Sequence, residues 1–177
     1  MSNNLKIAIS GKSGCGNTSV SKIVAKELGL SLINFTFRNM AEERCIGFEE
    51  MCALAEKNPE HDRYLDKMLI KLSEKGNCVL ASRLAIWLLK DAGLKVYLNG
   101  SIEERSRRIA KREKSDYKKA FKKTRVRDKR DQRRYFRLYN IDINEYSFAD
   151  LIINTEAGDQ NYVAGMIIEA ARKLKSV

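Results

Sequence analysis

Lys6-Ile7-Ala8-Ile9-Ser10-Gly11-Lys12-Ser13-Gly14-Cys15-Gly16-Asn17-Thr18-Ser19-Val20 decides how this chain is read. An apolar run leads into three glycines within six positions, and a segment opening on hydroxyl residues follows. A buried strand, a glycine turn and a helix N-terminus in that order make a phosphate cradle. The glycines let successive backbone N–H groups converge on an anion, and the helix end adds favourable partial charge. Gly11, Lys12, Ser13, Gly14, Cys15, Gly16, Asn17, Thr18 and Ser19 are therefore the candidate phosphate-binding residues. Asn17 stands where such loops carry a lysine, so the cradle lacks its usual cation. Lys12 is the candidate for replacement charge, although its ordinary reading is a solvated loop lysine.

Outward from the loop, apolar stretches alternate with helical ones. Strands are expected over 5–10, 30–34, 78–81, 94–98 and 150–154. Helices are expected over 18–28, 38–44, 48–57, 61–75, 84–91, 102–112, 116–139 and 161–174. Gly29 serves as a helix stop, and Ser101 caps a helix whose first turn carries Glu103 and Glu104. Strands alternating with helices, with the glycine turn after strand one, argue an α/β fold: a doubly wound parallel five-stranded sheet with helices on both faces. Ligands then gather at the carboxyl ends of the strands. All 177 residues read as one domain.

The net charge of +11 is concentrated. Between Glu103 and Arg137 there are 17 Lys and Arg against 6 Asp and Glu, an excess equal to that of the whole chain. Such a segment repels itself, and it is expected to be mobile when empty and to close on a polyanion. The four cysteines, Cys15, Cys45, Cys52 and Cys78, are scattered with one His61 among them, which fits reduced thiols better than zinc or a disulfide frame. No run suits a membrane span and no cleavable leader is visible, so a cytoplasmic setting is expected. Trp87 and the Tyr135-Phe136, Tyr139 group read as packing.

Further segments sharpen the picture. Phe37-Arg38-Asn39-Met40-Ala41-Glu42-Glu43-Arg44 follows strand two. Asp62-Arg63-Tyr64-Leu65-Asp66 comes next, and Cys78-Val79-Leu80-Ala81-Ser82-Arg83 ends strand three on an arginine. Arg127-Asp128-Lys129-Arg130-Asp131-Gln132-Arg133-Arg134 gives an Arg-Asp-x-x-Asp-x-x-Arg pattern. Positions 127, 131 and 134 share one helix face. In this order the segments resemble the short, archaeal-type branch of the cytidylate kinases, P-loop nucleoside monophosphate kinases, nearly end to end.

The resemblance implies a P-loop NTPase-like sheet with acceptor-binding helices over about 35–75 and a helical lid over about 113–137. It implies ATP- and Mg²⁺-dependent phosphoryl transfer to CMP or dCMP, giving CDP and ADP. Arg38, Arg83, Arg127, Asp131 and Arg134 would hold the acceptor nucleotide. Arg83, Arg127, Arg134 and Lys12 would stabilise the transferred group, and Thr18 would ligate Mg²⁺. Such transfer depends on positioning and on positive charge around the phosphoryl oxygens, which arginine supplies through its planar, permanently charged fork.

The sequence departs from that pattern at Asn17, at Ala81-Ser82, where an acid and a glycine usually precede the arginine, and in a loop after strand two about two residues shorter than the family's. Losing one preorganised charge costs about 10²- to 10³-fold in rate. A slowed kinase is therefore the first reading. A catalytically weak nucleotide-binding sensor is the second. A basic module binding RNA or DNA through Arg105–Arg137 is a third; without a reader motif it is set behind the others.

Overall fold

A computed structural model describes residues 4–175. β1 (Lys6–Gly11) runs into α1 (Asn17–Leu28), followed by β2 (Ser31–Ile33). Three helices come next: α2 (Phe37–Glu43), α3 (Phe48–Lys57) and α4 (Glu60–Ser73). β3 (Cys78–Ala81), α5 (Ala85–Leu88), β4 (Leu94–Asn99), α6 (Ile102–Glu113), α7 (Tyr117–Tyr139), β5 (Leu151–Asn154) and α8 (Gln160–Lys175) complete the chain. The five strands form one sheet in the order β2-β3-β1-β4-β5, and every pairing is parallel.

The sheet separates its side chains by the two-residue period of a strand. Ile7 and Ile9 of β1, Val79 of β3, and Leu94, Val96 and Leu98 of β4 turn to one face, where they meet Val20 and Val24 of α1 and Val163 and Ile167 of α8. Ala8, Cys78, Leu80 and Tyr97 turn to the other, against Leu69 of α4 and Ala85, Ile86 and Leu89 around α5. Every residue of β1 is buried, as expected of a central parallel strand covered on both faces. Burying an Ile or Leu in this way contributes about 1.5–3 kcal/mol.

The element order follows the expectation, and the bounds agree within a residue or two except at α5. The expected helix over 84–91 is one turn, Ala85–Leu88. Its sequence, Leu84-Ala85-Ile86-Trp87-Leu88-Leu89, is apolar all round and offers no solvent face. Leu89 leaves the helix to stay 2% exposed in the core, and Asp91 beyond it accepts a 2.6 Å bond from Lys6 Nζ. Trp87 packs edge-on to Tyr97 and Phe148, as the packing reading has it. Phe136 does not fit that reading, since it is 57% exposed.

Cys15, Cys52 and Cys78 are buried, whereas Cys45, at φ 55 just past α2, is exposed. Among the described residues no helix is long and apolar enough to cross a membrane.

Candidate active site

The glycine loop takes its shape from positions that few side chains tolerate. Gly14 and Gly16 have φ of 88 and 85, and Gly16 caps α1. A Cβ on Gly14 would lie 2.7 Å from the carbonyl oxygen of Arg105, so the turn is closed against α6. Cys15 Nα–H donates to Lys12 O at 3.1 Å. Burial pushes the Cys15 thiol up to about 11, and Arg105 nearby only partly opposes this, so the sulfur stays a neutral packing group. Thr18 and Ser19 are exposed at the start of α1.

Lys12 donates from Nζ to Asn144 Oδ1 at 2.7 Å, and it lines neither of the two cavities described below. Asn17 donates from Nδ2 to the Ser82 carbonyl at 3.4 Å, while its buried Oδ1 has no partner. Two of the three departures from the kinase pattern thus touch each other where the loop meets the end of β3.

On one side of the loop a cavity of about 530 Å³ is lined by Gly14, Gly16, Ser19, Arg108, Arg112 and Thr155 among others. Arg108 is fixed by Thr155, donating from Nη1 to its hydroxyl at 3.0 Å and from Nη2 to its carbonyl at 2.7 Å.

On the other side, past β3, lies a smaller cavity of about 130 Å³. Arg83 from the end of β3, Arg127, Asp131 and Arg134 from α7, and Asp62 and Asp66 from α4 all line it. Arg83 pairs with Asp131. Arg134 stands between Asp62 Oδ2 and Asp131 Oδ1, each 3.2 Å away, with its guanidinium 5.2 Å from the Phe37 ring centroid. Arg127 donates to Ser13 Oγ at 3.1 Å and to Glu49 Oε1 at 3.2 Å. Tyr139 donates its hydroxyl proton to Asp66 Oδ2 at 2.8 Å.

Electrostatics sort these groups. Desolvation raises the Asp62 and Asp66 carboxyls to about 6, with the nearby arginines and, for Asp66, the Tyr139 hydroxyl opposing it. Burial pulls the Arg134 guanidinium down, but Tyr135 and Asp62 more than reverse this and hold it above the usual arginine range. Arg83 moves the other way. Desolvation lowers it, and the cations Arg127 and Arg134 add to the effect.

Four of the five expected acceptor residues therefore meet in one place, and Arg38 does not join them. Thr36 caps α2 by accepting from Arg38 Nα–H at 3.2 Å, which turns Phe37, Met40 and Ala41 inward and Arg38 outward. Arg38 is exposed, 4.7 Å from the Phe48 ring centroid and 3.5 Å from Glu113 Oε1.

The basic segment also finds acids that a count within 103–137 leaves out. Glu49 and Glu56 of α3 pair with Arg127 and Arg130, and Asp62 of α4 with Arg134. These partners offset the self-repulsion and dock α7 on α3 and α4. Sequence reasoning missed Asp62, Arg105 and Arg108 as site residues. The signal for two of them was present: Asp62 and Arg105 occupy the apolar-periodic faces of α4 and α6, where a lone charge asks for a buried partner.

Comparison with known proteins gives this constellation its relatives. Residues 6–157 match the model of the cytidylate kinase-like family. The chain is 48% identical over 167 residues to "Cytidylate kinase 2" of Borreliella afzelii, covering 92% of this chain and 94% of that one. It is 41% identical over 174 residues to the cytidylate kinase of Archaeoglobus fulgidus, covering 97% of each. In fold it is similar to shikimate kinase from Bacteroides thetaiotaomicron, with a TM-score of 0.63 at 15% identity, covering 98% of this chain and 99% of that one. A glycine cradle, a strand-end arginine and an arginine-lined helix, joined to these relatives across nearly the whole length, place the chain in the cytidylate kinase-like family.

Proposed function

We propose that this nucleoside monophosphate kinase transfers the terminal phosphoryl group of ATP to CMP, with dCMP as a second acceptor, giving CDP or dCDP and ADP. One observation carries the acceptor side of this reading. Arg83, Arg127 and Arg134, from two separate parts of the fold, line a single cavity that adjoins the glycine loop through the Arg127–Ser13 and Asn17–Ser82 contacts.

Backbone N–H groups of residues 14–18 would cradle the donor phosphates, and the N-terminus of α1 would favour their charge. The wider cavity beside Arg108 and Thr155 would take the donor nucleoside. The acceptor phosphate would enter between Arg83 and Arg127. There it would relieve the like-charge crowding that lowers Arg83, and it would draw Arg127 off Ser13 and Glu49. Arg134, already held by Asp62 and Asp131, is preorganised, so its field costs no rearrangement at the moment of transfer. Asp131 would accept from an acceptor sugar hydroxyl.

Mg²⁺ is part of the family's chemistry, and the residues here suit it. Thr18 offers an exposed hydroxyl at the first turn of α1, and the unpartnered Oδ1 of Asn17 leaves a second hard oxygen beside it. Bound there with ATP, Mg²⁺ would neutralise charge on the outer phosphates. With Ala81 supplying no carboxylate, the protein's share of the coordination is small and phosphates and water would make up the rest.

A coupled assay with ATP, Mg²⁺ and each of CMP, dCMP, UMP and AMP tests the proposal. ADP release that depends on CMP or dCMP, well above that with UMP or AMP, is the expected outcome. ATP binding without turnover on any acceptor would replace the proposal with a nucleotide sensor, the reading that Asn17 favours.

A further inference from the structure

We infer that Arg105 is a positioning residue that ties the donor loop to α7, so that filling the loop with phosphates sets the state of the lid. The inference rests on the kinase reading above but not on which nucleotide is the acceptor.

Arg105 lies on the inner face of α6 and is 3% exposed. Its guanidinium serves three separate segments. Nε donates to Gly100 O at 3.1 Å, which anchors the arginine at the end of β4. Nη1 donates to the Ser13 carbonyl of the glycine loop at 3.0 Å. Nη1 and Nη2 together grip Asp128 of α7, at 3.2 and 2.7 Å. The loop also rests on the Arg105 backbone, since a Cβ on Gly14 would fall 2.7 Å from Arg105 O. The residue next to Asp128, Arg127, takes the Ser13 hydroxyl at 3.1 Å. Ser13 is thus held at its carbonyl and at its hydroxyl, and both holds end on neighbouring residues of one helix.

None of the other arginines of α6 bonds to Ser13 or Asp128: Arg107 pairs with Glu104 and lies 5.9 Å from the Tyr117 ring centroid at the start of α7, Arg108 holds Glu104 and Thr155, and Arg112 pairs with Glu113. A buried ion pair adds little net stability over apolar packing, so stability alone is a poor reason for this one. Its position suggests a better one. The acceptor cavity of about 130 Å³ is below the roughly 300–1,000 Å³ of ordinary ligand pockets, so the elements that line it, α7 among them, have to part to admit a nucleotide. The planar fork on Asp128 and the bond to Ser13 O share one rigid guanidinium. A loop drawn onto phosphates therefore carries Asp128, and α7 with it, whereas a loop without them leaves α7 held at Ser13 and by its acid partners alone. Differential contact of this kind is what lets one ligand shift a two-state element.

Hydrogen exchange over residues 117–137 of the full chain tests this, measured with and without a saturating, non-hydrolysable ATP analogue plus Mg²⁺. In the wild type the analogue should slow exchange of these amides by at least about 5-fold, the low end of ordinary coupling between sites. Asp128→Asn should abolish that slowing while still binding the analogue, and Asp128→Glu, which keeps the charge, should restore it. Slowing in Asp128→Asn equal to the wild type overturns the inference, as does absence of slowing in the wild type or loss of the fold in both variants. The outcome is independent of the acceptor assay. A chain that closes on the analogue but ignores CMP keeps this inference and loses the acceptor assignment.

Discussion

The glycine loop, our proposed donor site, and the arginine-lined cavity, our proposed acceptor site, touch at Ser13 and Asn17, yet they are built by opposite means. The loop is a backbone device, with its geometry set by Gly14 and Gly16 at positive φ and by the close approach to α6, and Lys12 is occupied with Asn144. The acceptor cavity is a side-chain device: four arginines and three aspartates from β3's end, α4 and α7 crowd one small space. A backbone device tolerates side-chain replacement because its N–H groups remain, so Asn17 in place of lysine leaves the loop's geometry intact. A side-chain device has no such reserve, and each of its charges depends on another.

That contrast can be broken, beginning with the largest effect. Arg134→Ala strips the cation from buried Asp62, 2% exposed, and leaves Asp131, 3% exposed, with Arg83 alone. Removing one partner of a buried pair costs about 3–5 kcal/mol. Urea denaturation should show a loss of that order, and a loss below about 1 kcal/mol would mean the acceptor charges do not depend on one another. Arg83→Ala should leave the fold intact, because that side chain is 29% exposed. It should lower kcat/KM for the acceptor by about 10²- to 10³-fold. Steady-state kinetics should then find the KM for ATP little changed, and a parallel loss on both substrates would erase the distinction between the two ends.

Acid and base titration sharpens the comparison further. Asp62 and Asp66 are raised to about 6 from 3.8, so between roughly pH 4 and 6 the folded chain holds protons that the unfolded chain has released. The contribution of these two carboxyls to stability therefore falls as pH rises through that window and levels off above it. Asp66→Asn should flatten its share, at most roughly 3 kcal/mol, in thermal melts across that range. A difference between wild type and Asp66→Asn that does not change with pH there would overturn the assignment. The smallest effect belongs to the donor end. Gly14→Ala, at φ 88 and 2.7 Å from Arg105 O, should weaken ATP binding by about 1–3 kcal/mol, measured by calorimetry.

The donor loop, all five strands and the shared face of Arg127, Asp131 and Arg134 were legible because each is a local pattern: glycine spacing, apolar runs, a helical period. What stayed hidden depends on where unlike segments meet. Nothing local says that Arg38 points outward, because the choice is made by Thr36 capping α2 and by Phe37 turning inward. The acids that dock α7 lie more than fifty positions away in α3 and α4, so a charge count within the basic segment overstates its repulsion. Leu84–Asp91 looked helical because an all-apolar run satisfies a helix template as well as a core turn, and only burial of Leu89 against Tyr97 and Leu80 distinguishes them.

Cys45 has a practical consequence. It is the one cysteine of the four with an accessible sulfur, and it sits at the end of the short helix whose Thr36 and Phe37 face the acceptor cavity. Thiol-directed reagents act on accessible sulfur and pass over buried ones. A maleimide fluorophore would thus attach at a single known atom without any engineered change, at the far end of the helix that begins beside the cavity.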